Sequence, residues 1–246
     1  MLNNIIKLAF IDFKNIIKTK GFWIGCLLSL LYISIWIVRK PDSFSETTYQ
    51  YEFFKAVLFV FIYYSSVLLA KEFSLGTSKT LFTGTFSRFE IVVEKLLVFL
   101  QIGLFFGILS RLLHVIFVYQ VNGAVTLPEV FNINILQAII IYVFISFVIG
   151  SFGLFAASIT VSFKNTLIFN INIFGVIQYL VPLFIFMNIE ENLGIVHSVI
   201  SKLPQYITFQ WTTFWHFNVW EILTMIIWGN VFLIPALLII DRRSLR

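Results

Sequence analysis

Apolar residues along this chain come in long unbroken runs separated by short polar stretches. The runs cover positions 22–38, 53–70, 96–121, 135–161, 166–187 and 219–240. About 20 consecutive apolar residues cross a bilayer as a helix, so the pattern predicts six transmembrane helices in an all-α polytopic membrane protein. Backbone groups find no water in hydrocarbon and must bond within their own segment, which forces the helical form. A β-barrel would need apolar and polar residues to alternate, and here the apolar ones are continuous. The first run is short for a full crossing, and Gly21 with a snorkelling Arg39 extends it. Trp23, Trp36, Tyr49, Tyr51, Tyr119 and Trp220 fall near run ends, where aromatic belts form.

The polar stretches have patterns of their own. Over 1–20, Lys7, Lys14 and Lys18 recur on one face with Asn3 and Asn4, while Leu2, Ile5, Ile6, Ala9, Phe13, Ile16 and Ile17 fill the other. This predicts an amphipathic elbow helix lying on the anionic inner leaflet before the first span. The segment 71–95, between the second and third spans, is longer than a tight helical hairpin needs. Leu75, Lys79, Leu81 and Phe82, with Phe86, are expected to form a short surface helix with an apolar side there, bounded by Gly76 and Gly84. Ser74 and Ser87 are candidate N-caps, because a hydroxyl accepts the unpaired N–H groups of a helix start. A polar, partly aromatic knob of this kind suits the docking of a soluble partner. The stretch 188–218 is mostly apolar but is broken by Glu190, Glu191, Lys202 and Pro204. It is expected to enter the outer leaflet and return as two short elements, 195–203 and 206–217, with Trp211 and Trp215 on an interfacial face.

Composition narrows the chemistry. The 246 residues are 59% apolar and 12% charged, with a mean hydropathy of +0.95. Soluble chains carry about 25% charged residues, so there is no room for a separate globular catalytic domain, and the chain reads as one transmembrane domain over 1–246. The single cysteine, Cys26, excludes an internal disulfide, and His114, His197 and His216 are too scattered for a metal site. The net charge of +5 speaks to topology rather than to nucleic acid. With a cytoplasmic N-terminus, Lys7, Lys14, Lys18, Lys20, Lys71, Lys79, Arg88, Lys95, Lys164, Arg242, Arg243 and Arg246 lie inside, 12 of the 17 basic residues. Arg39, Lys40, Lys55 and Lys202 lie outside, and Arg111 lies within a span. That asymmetry satisfies the positive-inside rule and puts both termini in the cytoplasm. The first run ends Trp-Ile-Val-Arg-Lys without a small-residue cleavage site, so it is expected to be a retained anchor.

The segment after the second span resembles the permease subunits of the ABC-2 type exporter family. Those proteins carry a pattern close to E-x-x-x-G-T-x-(K/R)-x-L-x-x-x-x-x-S-R-x-x-(I/L)-x-x-x-K, and Glu72, Gly76, Thr77, Lys79, Leu81, Ser87, Arg88, Ile91 and Lys95 follow that order and spacing. The resemblance implies six spans, an N-terminal elbow helix and an outer re-entrant segment. It also implies that 71–95 is a coupling helix seated in a separate ATP-binding subunit, with Glu72, Gly76, Thr77, Lys79, Phe82, Arg88 and Lys95 at the contact. ATP and Mg would belong to that partner. In this chain Gly76-Thr77-Ser78-Lys79-Thr80 only superficially resembles a P-loop, which needs Gly directly before Lys. A second permease, identical or related, would complete the pathway in a bacterial plasma membrane. The size, short loops and Phe/Ile/Asn-rich composition resemble family members of low-GC Gram-positive bacteria that export, or give immunity to, amphipathic peptides, including lantibiotics and phenol-soluble modulins.

Within the spans, Arg111 and His114 share a face one turn apart. Two readings stand: a structural or snorkelling pair, with Glu129 or Glu221 as partner, or substrate contact in an outward cavity. Gly103 with Gly107, and Gly150 with Gly153, Ala156 and Ala157, are expected to let helices approach closely. Pro182 and Pro235 are expected to kink the fifth and sixth spans, and Asn165, Asn170, Asn172 and Gln178 set polar groups along the fifth. Two rival functions are weaker. An intramembrane protease would need more than Glu190-Glu191, since metal-site and nucleophile signatures are absent. An ion-coupled transporter or channel would need inverted repeats and acidic residues at the midplane.

Overall fold

In the computed structural model of the chain, residues 2–74, 87–123, 135–181 and 198–242 are described. They form helices and short connections, with no strand among them. The helices are α1 (Leu2–Ile17), α2 (Lys20–Arg39), α3 (Glu46–Val67), α4 (Ala70–Ser74), α5 (Arg88–Asn122), α6 (Ile135–Thr160), α7 (Phe163–Asn170), α8 (Pro204–Phe214) and α9 (Val219–Arg242). Among the described residues, five stretches are long and apolar enough to cross a membrane: α2, α3 with α4, α5, α6 and α9.

Cross-helix contacts fix the directions. Gly25 rides on Val60 and Tyr32 meets Glu52, so α2 and α3 are antiparallel. Gln50 bonds Ser110 while Phe61 packs on Phe99, so α3 and α5 are antiparallel as well. Gly107 faces Ala138, and Gly150 faces Phe99, which reverses the chain again from α5 to α6. By contrast, α9 runs parallel to α6, with Phe147 against Gly229 and Phe152 against Phe232. The chain therefore has to travel back between the end of α6 and the start of α9.

Residues 163–181 make most of that return. Phe163 touches Tyr63, Asn170 bonds Ser65 and Ser66, and Tyr179 reaches Lys55, so the segment lies antiparallel against α3. Its helix is interrupted by a π-helical turn, Ile171–Val176. The turn from α6 puts β-branched Val161 at φ 55°, a strained left-handed position. Thr160 and Thr166 hydroxyls 2.6 Å apart, and a 2.8 Å bond from Thr166 to the Ser162 carbonyl, hold the corner. The rest of the fifth apolar run, with Pro182, lies outside the described residues.

The core is aromatic and β-branched, centred on α3, α5 and α6. By comparison, α2 and α9 leave Trp23, Leu28, Ile35, Trp220, Ile227 and Ile234 exposed, the side-chain pattern of a lipid-facing surface. The expected glycine seam is present. A Cβ on Gly107 would sit 3.0 Å from Ile139 Cα and 3.1 Å from the Ala138 carbonyl, so only glycine lets these backbones approach. Gly107→Val is expected to destabilise the protein by about 1–3 kcal/mol through overpacking. Gly21→Ala, whose added Cβ would meet the Tyr64 hydroxyl at an ordinary 3.9 Å, should leave stability nearly unchanged, and thermal unfolding in detergent compares the two.

Candidate functional site

The polar pattern points to the end of the bundle where α1 enters, α5 begins and α9 finishes. Ser87 caps α5 as expected, with a reciprocal capping box: its hydroxyl accepts from the Glu90 N–H at 3.2 Å, and Glu90 accepts from the Ser87 N–H at 2.7 Å. That box fixes the direction in which the chain leaves 75–86 and enters α5. Ser74 closes α4, and Gly76, Thr77, Lys79 and Phe82 lie outside the described residues.

The next residue, Arg88, reaches across the bundle. Its guanidinium donates to the Ile240 carbonyl at 2.8 Å and to the Asp241 carbonyl at 2.6 Å. These belong to the last turn of α9, whose unpaired carbonyls and negative dipole end favour a cation. Two turns on, Lys95 is buried, only 6% exposed. Its ammonium donates to Asp12 of α1 at 2.7 Å and contacts Glu94 at 3.2 Å. The other Glu94 oxygen is buried without a partner among the described residues. Arg88 and Lys95 thus bind the start of α5 to the last turn of α9 and to the middle of α1.

Glu72, half exposed on α4, faces a pocket of about 440 Å³ that it shares with Asp12, Lys71 and Lys95. Lys7 and Lys14 on α1, and Lys18 just after it, are exposed, while Ile5 and Ala9 are buried against the bundle. The apolar side of α1 is wider than one packed face: Ile6, Phe10 and Ile11 remain exposed. Asp12 was not among the expected site residues. The signal was there, because Asp12 falls in register with Ile5, Ala9 and Ile16, and a carboxylate on a packing face requires a cation.

The second predicted pair lies far away. Arg111 is about 24 Å along α5 from Lys95 at ~1.5 Å per residue. Arg111 and His114 are both buried, and neither His114 ring nitrogen has a partner among the described residues. Glu221 does not pair with Arg111; it accepts from the Trp211 indole at 2.7 Å and from the Asn218 side chain at 3.0 Å. Glu129 lies outside the described residues. Nearby, Ser110 donates to the Gln50 carbonyl oxygen at 2.7 Å, and Gln50 returns a 3.2 Å bond to the Ser110 carbonyl.

Two expectations are corrected. Trp211 and Trp215 are core residues, 0% and 5% exposed, rather than an interfacial face. Trp211 can be buried because Glu221 receives its N–H. Lys55 is not in an outer loop but inside α3, 2.5 Å from Glu52, which also accepts from the Tyr32 hydroxyl at 2.7 Å. The Tyr51 and Tyr179 rings lie 5.1 and 5.9 Å from the Lys55 ammonium.

No family model matches the chain, and a search of curated proteins finds no relative. The local bonds make a stability prediction. Removing one partner of a buried ion pair strands the other, so Lys95→Met and Asp12→Asn should both destabilise. A double-mutant cycle should give a coupling energy of about 1–3 kcal/mol, measured by unfolding in mixed micelles.

Proposed function

We propose that this chain is the membrane-spanning permease subunit of an ATP-driven exporter of the ABC-2 type, working with a separate ATP-binding subunit. The observation that carries the proposal is the double attachment at the start of α5, where Arg88 holds the last turn of α9 and Lys95 holds α1. A force applied to 75–86 enters α5 through the Ser87 cap and reaches α1 and α9 in the same movement. That is what a coupling segment needs, since a soluble ATPase acts on one end of a bundle it does not enter. Gly76, Thr77, Lys79 and Phe82, with Glu72 and Arg88 at the borders, form the docking surface in this reading.

The return segment 163–181 supplies most of the fifth crossing, about 28 Å of rise along α3, and α9 is the sixth. Six crossings place α1, the coupling segment and the end of α9 together in the cytoplasm, in a bacterial plasma membrane. The helix α8, with the chain before it, forms the outer re-entrant segment, and α1 is the interfacial elbow. A second permease, identical or related, completes the pathway. The cargo is an amphipathic peptide or another hydrophobic molecule moved outward, and ATP and Mg bind in the partner subunit.

Co-expression with candidate ATP-binding subunits tests this directly. Glu72→Ala and Arg88→Ala should each lower co-purification of the true partner about tenfold, equivalent to about 1.4 kcal/mol. Gel filtration verifies that each variant remains monodisperse. Full retention of the partner by both folded variants would remove the basis of the proposal.

A further inference from the structure

A lateral groove of about 350 Å³ opens between α2 and α3. Its cause is the sequence of α2: Gly21, Gly25 and Ser29 recur every four residues, and that stripe lacks the side-chain volume to fill the seam. Gly25 is in contact with Val60, where an added Cβ would be 3.1 Å from a methyl group. Gly21 is open; its nearest neighbour would be the Tyr64 hydroxyl at 3.9 Å. The groove walls are mostly apolar, with exposed Ile24, Leu28 and Phe59 on its rim and the rings of Tyr32, Tyr63, Tyr64 and Tyr179 along it.

The groove has a polar neighbour. Gly21, Tyr63 and Tyr64 also line the pocket bounded by Asp12, Asn15, Lys71, Glu72 and Lys95, so the two spaces adjoin on opposite sides of these three residues. Side by side, they give a polar pocket at the Lys20 end of α2 and an apolar arm reaching Tyr32. From Gly21 to Tyr32 the helix rises about 16 Å, which is half of a hydrocarbon core of about 30 Å. The arm is therefore as long as one leaflet. At the mouth, Lys71 and Lys95 line the pocket and exposed Lys18 and Lys20 flank Thr19, against Asp12, Glu72 and Glu94. In the lining Lys71 and Lys95 balance Asp12 and Glu72, Glu94 pairs with Lys95, and the cationic excess comes from exposed Lys18 and Lys20 at the pocket's edge; the exposed Asn15 amide adds a neutral donor.

We propose that this site binds an anionic phospholipid of the leaflet at the Lys20 end of α2, its headgroup in the α1–α4–α5 pocket and one acyl chain along the Gly21–Gly25–Ser29 groove. Length, apolar walls and a net cationic mouth at one end match a lipid standing in its own leaflet. The proposal does not depend on ATP coupling, and its failure leaves the permease reading untouched.

Native mass spectrometry of the purified full chain, titrated with dioleoyl phosphatidylglycerol or dioleoyl phosphatidylcholine, tests it. The phosphatidylglycerol adduct should persist at several-fold lower concentration. Gly21→Leu, which closes the junction, and Lys71→Gln, which removes a cation at an exposed position, should each weaken it about fivefold. Equal retention of the two lipids, or phosphatidylglycerol binding unchanged in the Lys71→Gln protein, would overturn the proposal. Melittin binding that is lost in Gly21→Leu while phosphatidylglycerol binding persists would also overturn it, by assigning the groove to a cationic amphipathic peptide.

Discussion

Close backbone contact between α5 and α6 is the constraint on which the other helices depend. In hydrocarbon an apolar side chain gains little by leaving lipid for protein, so helices associate through dispersion contacts and hydrogen bonds at short range. Glycine brings backbones within that range. Gly103 and Gly107 on α5 lie against Tyr142, Ala138 and Ile139 of α6, and Gly150 of α6 lies against Phe99 of α5. Gly153 carries the same arrangement to Ser65 of α3. With α6 thus in the middle, α9 packs along it in parallel, and so does α3, from Phe54 beside Tyr142 to Ser65 beside Gly153. The exposed helices α2 and α9 then need only one packed face each.

Polar bonds set register on this scaffold. Gln50 with Ser110 locks α3 to α5 in one half of the bundle, and Asn170 with Ser65 and Ser66 locks α7 to α3 in the other. The π-helical turn begins one residue after Asn170, so the anchored polar bond lies beside the irregular backbone. Gln205 of α8 donates to the Ile173 carbonyl within that turn at 3.4 Å, and Gln178 donates to the Gln205 carbonyl at 3.0 Å. Irregular backbone at membrane depth survives where protein groups satisfy it, and α8 supplies them here.

The long helices were legible because a run of apolar residues admits one structure in lipid. Ser87 was legible as a cap, and the glycine pairs as packing positions, because each follows from local chemistry. The return segment was legible only as a run, since hydropathy carries no sign of a π-helical turn. Trp211 was misplaced because an indole suits either an interface or a core, and only the distant carboxylate of Glu221 decides between them. Asp12 and Glu52 were missed for a related reason: each is a single carboxylate whose partner becomes visible once two helices are docked. The basic residues of the motif, Arg88 and Lys95, were selected by pattern. Their bonds to α9 and α1 are tertiary, and no spacing within 71–95 encodes them.

Lys95 sits where the two proposed roles meet. Its ammonium ties α5 to α1 through Asp12, and the same side chain lines the pocket that adjoins the α2–α3 groove. A buried cation with two carboxylate neighbours is held by geometry, so any rotation of α5 that lengthens the bond to Asp12 must reopen the pocket wall. On the proposed reading, a push on the coupling segment and the occupancy of the groove act on one ion pair. The elbow helix then does more than rest on the leaflet. In that reading Asp12 links the coupling segment to the surface where the lipid would enter, and lipid occupancy in turn would bias the position of α5.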